Sequence, residues 1–184
     1  TFQAVSGAGQ KGIVDLKDQL TAIEKGQKIE IKQFQYQIAN NVIPHIDVFT
    51  EDGYTKEEIK MIKETNKIMG DDSIKVTATT VRVPVYRGHS ESVNIETEKP
   101  ISRAKAKEIL SKADGVVVLD DTSKNEYPMP IFAEGKYETF VGRIREDKSV
   151  VNGLNMWVVS DNLLKGAASN AVQIAEVLVK KGIV

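Results

Sequence analysis

The chain has 184 residues, of which 41% are hydrophobic and 28% are charged, and its formal net charge is −1. This composition is typical of a soluble globular protein of one domain or two, and the balanced charge argues against a nucleic-acid partner. There are no cysteines, which excludes disulfides, thiolate ligands and a cysteine nucleophile within these residues. The apolar runs are too short to span a bilayer and no signal peptide is visible, so we expect a cytoplasmic protein without a membrane or metal site.

The first elements alternate between strand-like and helical patterns. Residues 1–5 predict a short strand, and a glycine-rich loop follows over 6–12. Apolar residues then recur at helical spacing over 13–26. Residues 29–49 are strand-like in composition but are interrupted by Pro44.

The next helix carries a specific start signal. Thr55 and Glu58 have the spacing of a capping box, and the helix that they open ends near Gly70. Beta-branched residues predict a strand over 74–85, and alternating polarity predicts another over 89–98.

The remaining residues predict one internal helix, further strands and a final helix. The internal helix has Ser102 as its N-cap and Gly115 after its end. Three strands and the final helix are predicted over 115–121, 137–146, 150–159 and 162–181. Because the strands outnumber the helices and neighbour one another, we expect an α+β fold with a mixed, largely antiparallel sheet and helices on one face.

Gly7, Gly9 and Gly12 spell G-x-G-x-x-G, the pattern of a dinucleotide-binding loop. That loop needs a second hydrophobic strand that ends in an acidic residue about 20 positions later. The segment in question, EKGQKIEIKQ, is strongly polar. We therefore favour a backbone that passes close to a ligand over a Rossmann turn, with a plain turn before a helix as the simplest alternative.

Two pairs of charged or imidazole groups could carry chemistry. Glu57 and Lys60 share one helical face, although such a pair is most often solvated. Arg82 and His89 flank the junction VRVPVYRGH, and in a flat strand they would lie on opposite faces. A proline and a glycine between them disfavour a flat strand, so their convergence stays open. The residues alone predict an α+β domain with a possible anion-binding site.

Several stretches together resemble the C-terminal half of bacterial aspartate-β-semialdehyde dehydrogenase: FQAVSGAG, NVIPHID, EEIKMIKETNKIM, VRVPVYRGHSESV and NMWVVSDNLLKGAASNAVQIAE. The resemblance implies a catalytic and dimerisation domain over 1–160, similar to the C-terminal domain of glyceraldehyde-3-phosphate dehydrogenase. It also implies that 161–184 is a helix that packs on a nucleotide-binding Rossmann domain. That domain and the cysteine nucleophile would precede Thr1.

The same resemblance implies an activity. Enzymes of this family use NADP to convert L-aspartate 4-semialdehyde and phosphate to L-aspartyl 4-phosphate and NADPH. They serve the biosynthesis of lysine through diaminopimelate, and of threonine, methionine and isoleucine. The expected partners are this small-molecule substrate and a second copy of the chain in a homodimer, with NADP held mainly by the Rossmann domain.

Five residues match the family's substrate and catalytic positions. His89 matches the acid/base residue and Gln3 matches a glutamine that orients the substrate. Arg82 matches the arginine that holds the substrate carboxylate, a role that suits its planar guanidinium. Glu57 matches the acid that meets the substrate ammonium, and Lys60 matches the lysine at the phosphate site.

The resemblance also implies cofactor contacts at Gly7, Gly9 and Asn170. Two alternatives remain beside it. The chain by itself could be a non-catalytic dimerisation and anion-binding module, or it could belong to the related N-acetyl-γ-glutamyl-phosphate reductase. Glu57 counts against the reductase, since an acetylated substrate has no ammonium for it to meet.

Overall fold

A computed structural model describes all of residues 1–184, which form two compact units, 1–86 and 87–184. We call them the first unit and the second unit. No helix combines the length and the apolar character that crossing a membrane requires.

The first unit contains two short parallel strands and two longer helices. They are β1 (Phe2–Ala4), α1 (Gln10–Glu24), α2 (Lys56–Met69) and β2 (Val81–Val83). Strands β1 and β2 pair so that Gln3 lies directly opposite Arg82. The buried core of this unit is formed by Val5, Leu16, Ile38, Ala39 and Ile43.

The glycine-rich stretch is more ordered than the predicted loop. A 3-10 turn covers Val5–Ala8, and α1 begins already at Gln10. Gly12 therefore lies inside the helix, where a Cβ atom would come within 2.4 Å of the Val5 carbonyl oxygen. No strand follows α1 before β2, so the βαβ unit that a Rossmann turn requires does not form here.

The predicted strand over 29–49 is wrong, because side chains of α1 accept hydrogen bonds from its backbone amides. Asp15 accepts two of these amides and Gln19 accepts two more, at 2.8–3.3 Å. Both side chains are almost fully buried, and Gln19 also donates to Asp15 at 3.0 Å. The amides belong to Lys32, Gln33, Ile38 and Ala39. The segment thus satisfies its polar groups without a strand ladder.

The capping box of α2 is confirmed. The Thr55 hydroxyl accepts from the Glu58 amide, and the Glu58 carboxylate accepts from the Thr55 amide at 2.8 Å. The helix ends at Gly70, which has a φ of +67°. Glu58 also accepts the Thr80 amide at 2.9 Å. The predicted strand over 74–85 is reduced to β2, because the residues before it join no ladder.

The second unit contains four paired strands and three helices. The elements are β3 (His89–Glu96), α3 (Arg103–Leu110), β4 (Val116–Val118), α4 (Pro130–Ala133), β5 (Thr139–Asp147), β6 (Gly153–Ser160) and α5 (Ser169–Lys180). The strand order is β3-β6-β5-β4, with only the β4–β5 pair parallel. The predicted α+β class and the largely antiparallel sheet are confirmed.

One face of this sheet is covered by α3. Ala106 of α3 packs in a buried cluster with Val141, Ile144 and Leu154 of β5 and β6. The N-cap of α3 is Ser102, as predicted, and its hydroxyl accepts from the Lys105 amide at 3.2 Å. The core of the second unit therefore lies between α3 and the sheet.

The final helix is confirmed, with one irregularity. A π-helical turn over Leu164–Ala168 precedes α5. Four apolar side chains of α5 are half-exposed or more: Val172, Ile174, Val177 and Val179. The expectation that this helix packs on a nucleotide-binding domain stays a prediction.

We predict that Leu16→Ala lowers the free energy of unfolding of the first unit by about 2–5 kcal/mol, since Leu16 is fully buried in its core. Leu20→Ala is the matched control, because Leu20 lies one turn further along α1 and is 37% exposed. Urea unfolding followed by far-UV circular dichroism measures both variants. Equal losses would show that α1 does not bury its Leu16 face as described.

Candidate functional site

Four of the predicted site residues lie together in the first unit. Gln3 donates from Nε2 to Glu57 Oε1 at 3.1 Å, and Lys60 Nζ lies 3.2 Å from Glu57 Oε2. Gln3 is opposite Arg82 in the β1–β2 register, so the two side chains leave the same side of the strand pair. One carboxylate of α2 therefore joins a strand residue to a helix residue in a cluster of four groups: Gln3, Glu57, Lys60 and Arg82.

Arg82 is a buried cation with donors to spare. The residue is 6% exposed, its Nη1 donates to the Ala4 carbonyl at 2.7 Å, and its guanidinium carbon lies 6.0 Å from the Phe34 ring centroid. Nε and Nη2 make no hydrogen bond within the chain. Burial lowers the pKa of Arg82, while the negative charge of Glu57 acts to raise it. An anion at Nε and Nη2 would offset the cost of burying this charge.

The ion pair between Lys60 and Glu57 is more exposed to solvent than the Arg82 guanidinium and is therefore weak. The Lys60 side chain is 54% exposed and that of Glu57 is 19% exposed. Solvent-exposed pairs contribute about 0–1 kcal/mol, so Lys60 can leave Glu57 for another anion at little cost. Glu57 Oε1 accepts from both Gln3 and Lys60, whereas Oε2 accepts from Lys60 alone and keeps a lone pair for a further donor. The cluster can thus bind a molecule that carries both anionic and cationic groups.

His89 lies in the second unit as the first, half-buried residue of β3, opposite Ser160 of β6. Gly88 precedes it with a φ of +91°, and a Cβ atom there would lie 3.0 Å from Pro130 Cβ. The chain leaves the strand conformation between β2 and β3, so the predicted break between Arg82 and His89 is confirmed. Their convergence on one substrate stays a prediction.

The predicted cofactor contacts also fall in different units. Gly7 and Gly9 are exposed at the start of α1, and no atom lies within 4 Å of the place that a Cβ of Gly9 would take. No side chain caps the N-terminus of α1. Asn170 is the second residue of α5, and its Oδ1 accepts from Lys165 Nζ at 3.3 Å. A cavity of about 480 Å³ beside α5 contains none of the predicted site residues.

Comparison with known proteins identifies the family. Residues 1–165 match the family described as semialdehyde dehydrogenase, dimerisation domain. The chain belongs to this family. The resemblance found in the sequence is therefore confirmed.

Relatives of this semialdehyde dehydrogenase domain are longer than the chain. The aspartate-semialdehyde dehydrogenase of Aquifex aeolicus is 60% identical over 185 residues, which is 100% of this chain and 54% of that protein. The Legionella pneumophila enzyme of the same name is 52% identical over 97% of this chain and 52% of its own length. The chain spans about half the length of the curated relatives it matches.

A solved structure supports the same assignment. The aspartate semialdehyde dehydrogenase II of Vibrio cholerae, complexed with ASA, is 47% identical and superposes with a TM-score of 0.93. The match covers 97% of this chain and 53% of that one.

Sequence reasoning missed the groups that hold the predicted residues in place. No sequence pattern predicts that the Ala4 carbonyl and the Phe34 ring lie beside Arg82, because both contacts depend on tertiary packing. Asp161 and Asn162, which bond Arg87 and Gly88 directly before His89, were also missed. An acidic residue directly before a helix is a recognisable N-cap, and that pattern could have drawn attention to Asp161.

We predict that Glu57→Gln strengthens the binding of inorganic phosphate to this cluster by about fivefold, because it removes one negative charge beside Lys60 and Arg82. Glu64→Gln is the control, since this exposed residue lies two turns further along α2. Titration followed by nuclear magnetic resonance gives both dissociation constants, and the gain should shrink as salt is added. Equal affinities for the two variants would contradict the proposed anion site.

Proposed function

We propose that the polypeptide containing this chain is an NADP-dependent aspartate-semialdehyde dehydrogenase of amino-acid biosynthesis. It would convert L-aspartate 4-semialdehyde, phosphate and NADP to L-aspartyl 4-phosphate and NADPH. The observation that carries the proposal is the cluster of Gln3, Glu57, Lys60 and Arg82, with the unused donors of a buried guanidinium at its centre. The names of two similar relatives support it.

The chemistry of the cluster fits that substrate group by group. An amino-acid carboxylate can accept two parallel hydrogen bonds from Arg82, which a planar guanidinium provides and an ammonium cannot. The substrate ammonium can donate to the remaining lone pair of Glu57 Oε2. Lys60 supplies a mobile positive charge for phosphate, and Gln3 orients the bound molecule through its position opposite Arg82.

We assign proton transfer to His89, because imidazole both accepts and donates a proton near neutral pH. The attacking thiol must come from outside residues 1–184, since the chain has no cysteine. The chain alone is then a substrate-binding and dimerisation module without turnover. Glu57 favours this proposal over N-acetyl-γ-glutamyl-phosphate reductase, whose acetylated substrate offers no ammonium.

The proposed cofactor contacts fit NADP in their chemistry. NADP, when bound, supplies the acceptor for the hydride. The exposure of Gly7 and Gly9, the open space beside Gly9 and the uncapped N-terminus of α1 suit a close, anionic neighbour. The side-chain amide of Asn170 can donate to a carboxamide, since its oxygen already accepts from Lys165. We propose that residues 1–160 carry substrate binding and that the helix of 161–184 packs on the domain that holds most of NADP.

We predict that Arg82→Lys and His89→Ala impair the complete polypeptide in different ways. Arg82→Lys keeps the charge but loses the second hydrogen bond, so kcat/KM for the semialdehyde should fall about 10- to 100-fold, mainly through KM. His89→Ala should lower kcat by about 10²–10⁴. Arg103→Lys is the control, because Arg103 is an exposed arginine of α3 paired with Asp120.

NADPH formation that depends on phosphate measures all three variants, and residues 1–184 alone should form none. Turnover by the isolated chain, or an Arg82→Lys variant as active as the Arg103→Lys control, would refute this assignment.

We further propose that two copies of the chain associate through the sheet face turned away from α3. The description of the family as a dimerisation domain supports this partner. Met156 and Val158 pack with the α3 cluster, so Trp157 between them points to the other face. A cleft of about 360 Å³ beside Trp157 is lined by residues that include Ser92, Tyr127, Arg143, Arg145 and Met156. A stable dimer should bury more than roughly 1,000 Å² in total.

We predict that Ser92→Arg weakens the dimer. Ser92 lies opposite Trp157 in the register, and an added cation there would be repelled by Arg145 and by the same arginine of the second copy. Ser111→Arg is the control on the α3 side of the sheet, where Ser111 is exposed. Sedimentation velocity at micromolar concentration compares the two variants with the parent chain. A parent chain that stays monomeric at high micromolar concentration would overturn the proposal.

A further inference from the structure

The turn that follows β6 contains a fully buried carboxylate, Asp161. Its Oδ2 accepts from Arg87 Nη2 at 2.7 Å and from the Gly135 amide at 2.8 Å. Burial acts to raise the pKa of Asp161, but the Arg87 guanidinium and the amide donors outweigh it, and the pKa lies below its usual value. The group is thus a buried anion whose partners come from separate parts of the second unit.

The other oxygen of Asp161 holds the start of the final helix. Oδ1 accepts from the Leu163 amide at 2.9 Å and from the Leu164 amide at 3.2 Å. These are the amides at the start of the helical segment that runs through the π turn into α5, and they need an acceptor from outside the helix. Asn170 lies on this same segment.

The neighbouring residue, Asn162, holds the chain directly before His89. Its Oδ1 accepts the Gly88 amide at 2.9 Å. Gly88 has a φ of +91° and lies against Pro130, so only glycine suits this position. Asp161 and Asn162 therefore fix Arg87 and Gly88, the two residues that precede His89.

We propose that Asp161 and Asn162 are positioning residues, which hold His89 and Asn170 in one fixed relation within the second unit. The inference rests on the proposed function, in which His89 moves the proton and Asn170 contacts NADP. Asp161 and Asn162 are adjacent, and together they bond the residues before His89 and the start of the helical segment that carries Asn170. A single short turn therefore fixes the positions of His89 and Asn170. Misplacing a reacting group by about 1 Å can cost about 10²-fold in rate, which gives such a turn a direct effect on turnover.

Asp120 provides the matched comparison for Asp161. Its carboxylate is equally buried, pairs with Arg103 and Lys107, and accepts the Arg143 amide at 2.8 Å. None of its partners adjoins a proposed site residue. Asp120→Asn therefore removes a buried anion of the same kind without touching His89 or Asn170.

The first measurement is hydrogen exchange on the complete polypeptide, which needs no activity. Asp161→Asn should speed exchange about tenfold over peptides spanning 162–168, and Asn162→Ala should do so over peptides spanning 86–92. Asp120→Asn should speed exchange near residue 143 only. Equal effects of Asp161→Asn and Asp120→Asn on 162–168, or no effect of Asn162→Ala on 86–92, would overturn the inference.

The second measurement is steady-state kinetics of the same variants at a temperature where all are folded. Asp161→Asn and Asn162→Ala should lower kcat about tenfold or more and change KM for the semialdehyde less than about threefold, because Arg82, Glu57 and Lys60 supply the substrate contacts. Asn162→Asp keeps the acceptor for Gly88 and should return kcat to within about threefold of the parent. Asp120→Asn should keep the parent kcat.

His89→Ala separates the two possible failures. If His89→Ala slows turnover while Asp161→Asn and Asn162→Ala both keep the parent kcat, the positioning role is wrong and the proposed function stands. If His89→Ala itself keeps full turnover, the proposed role of His89 is wrong, and the positioning role falls with it.

Discussion

The buried guanidinium of Arg82 constrains the whole first unit. A cation that is almost fully removed from water needs acceptors, and the chain supplies one carbonyl from β1, a ring face from the segment after α1 and a nearby carboxylate from α2. These three supports come from parts of the sequence that are far apart. The fold of the unit therefore has to bring them together, and two donors of Arg82 are left for a ligand.

The position of the Phe34 ring beside Arg82 depends in turn on contacts made by α1. Phe34 belongs to a segment without strand or helix, whose amides are held by Asp15 and Gln19 of α1. Its ring also lies against Gly12, where a Cβ atom would come within 3.1 Å of it. A polar pair and a missing side chain on the buried face of α1 thus set the position of an aromatic ring beside the site.

The sequence predicted those elements whose signals are local. The capping box at Thr55, the serine cap of α3 and the alternating pair that became β5 and β6 all depend on neighbouring residues, and all are confirmed. The prediction of a strand over 29–49 failed because the hydrogen-bond acceptors of its amides are side chains on the preceding helix. Composition favoured a strand there, and tertiary hydrogen bonds decided otherwise.

The candidate site shows the same division. Glu57 and Lys60 could be paired from helical spacing alone, whereas the link from Glu57 to Gln3 spans 54 residues and has no local signal. The family resemblance supplied these assignments, which stay predictions, and the register of β1 against β2 shows that Gln3 lies opposite Arg82. The chain between Arg82 and His89 is irregular, and periodicity does not encode its course.

The two glycines at positions 9 and 12 are needed for opposite reasons. Gly9 is exposed with a φ of +76°, so its requirement is one of handedness, and a D-alanine introduced by chemical synthesis would suit that backbone. Gly12 lies within α1 against the Val5 carbonyl, so its requirement is one of size. A mirror-image residue would gain nothing at that position. Within four residues of one motif, the chain thus uses glycine once because it is achiral and once because it has no side chain.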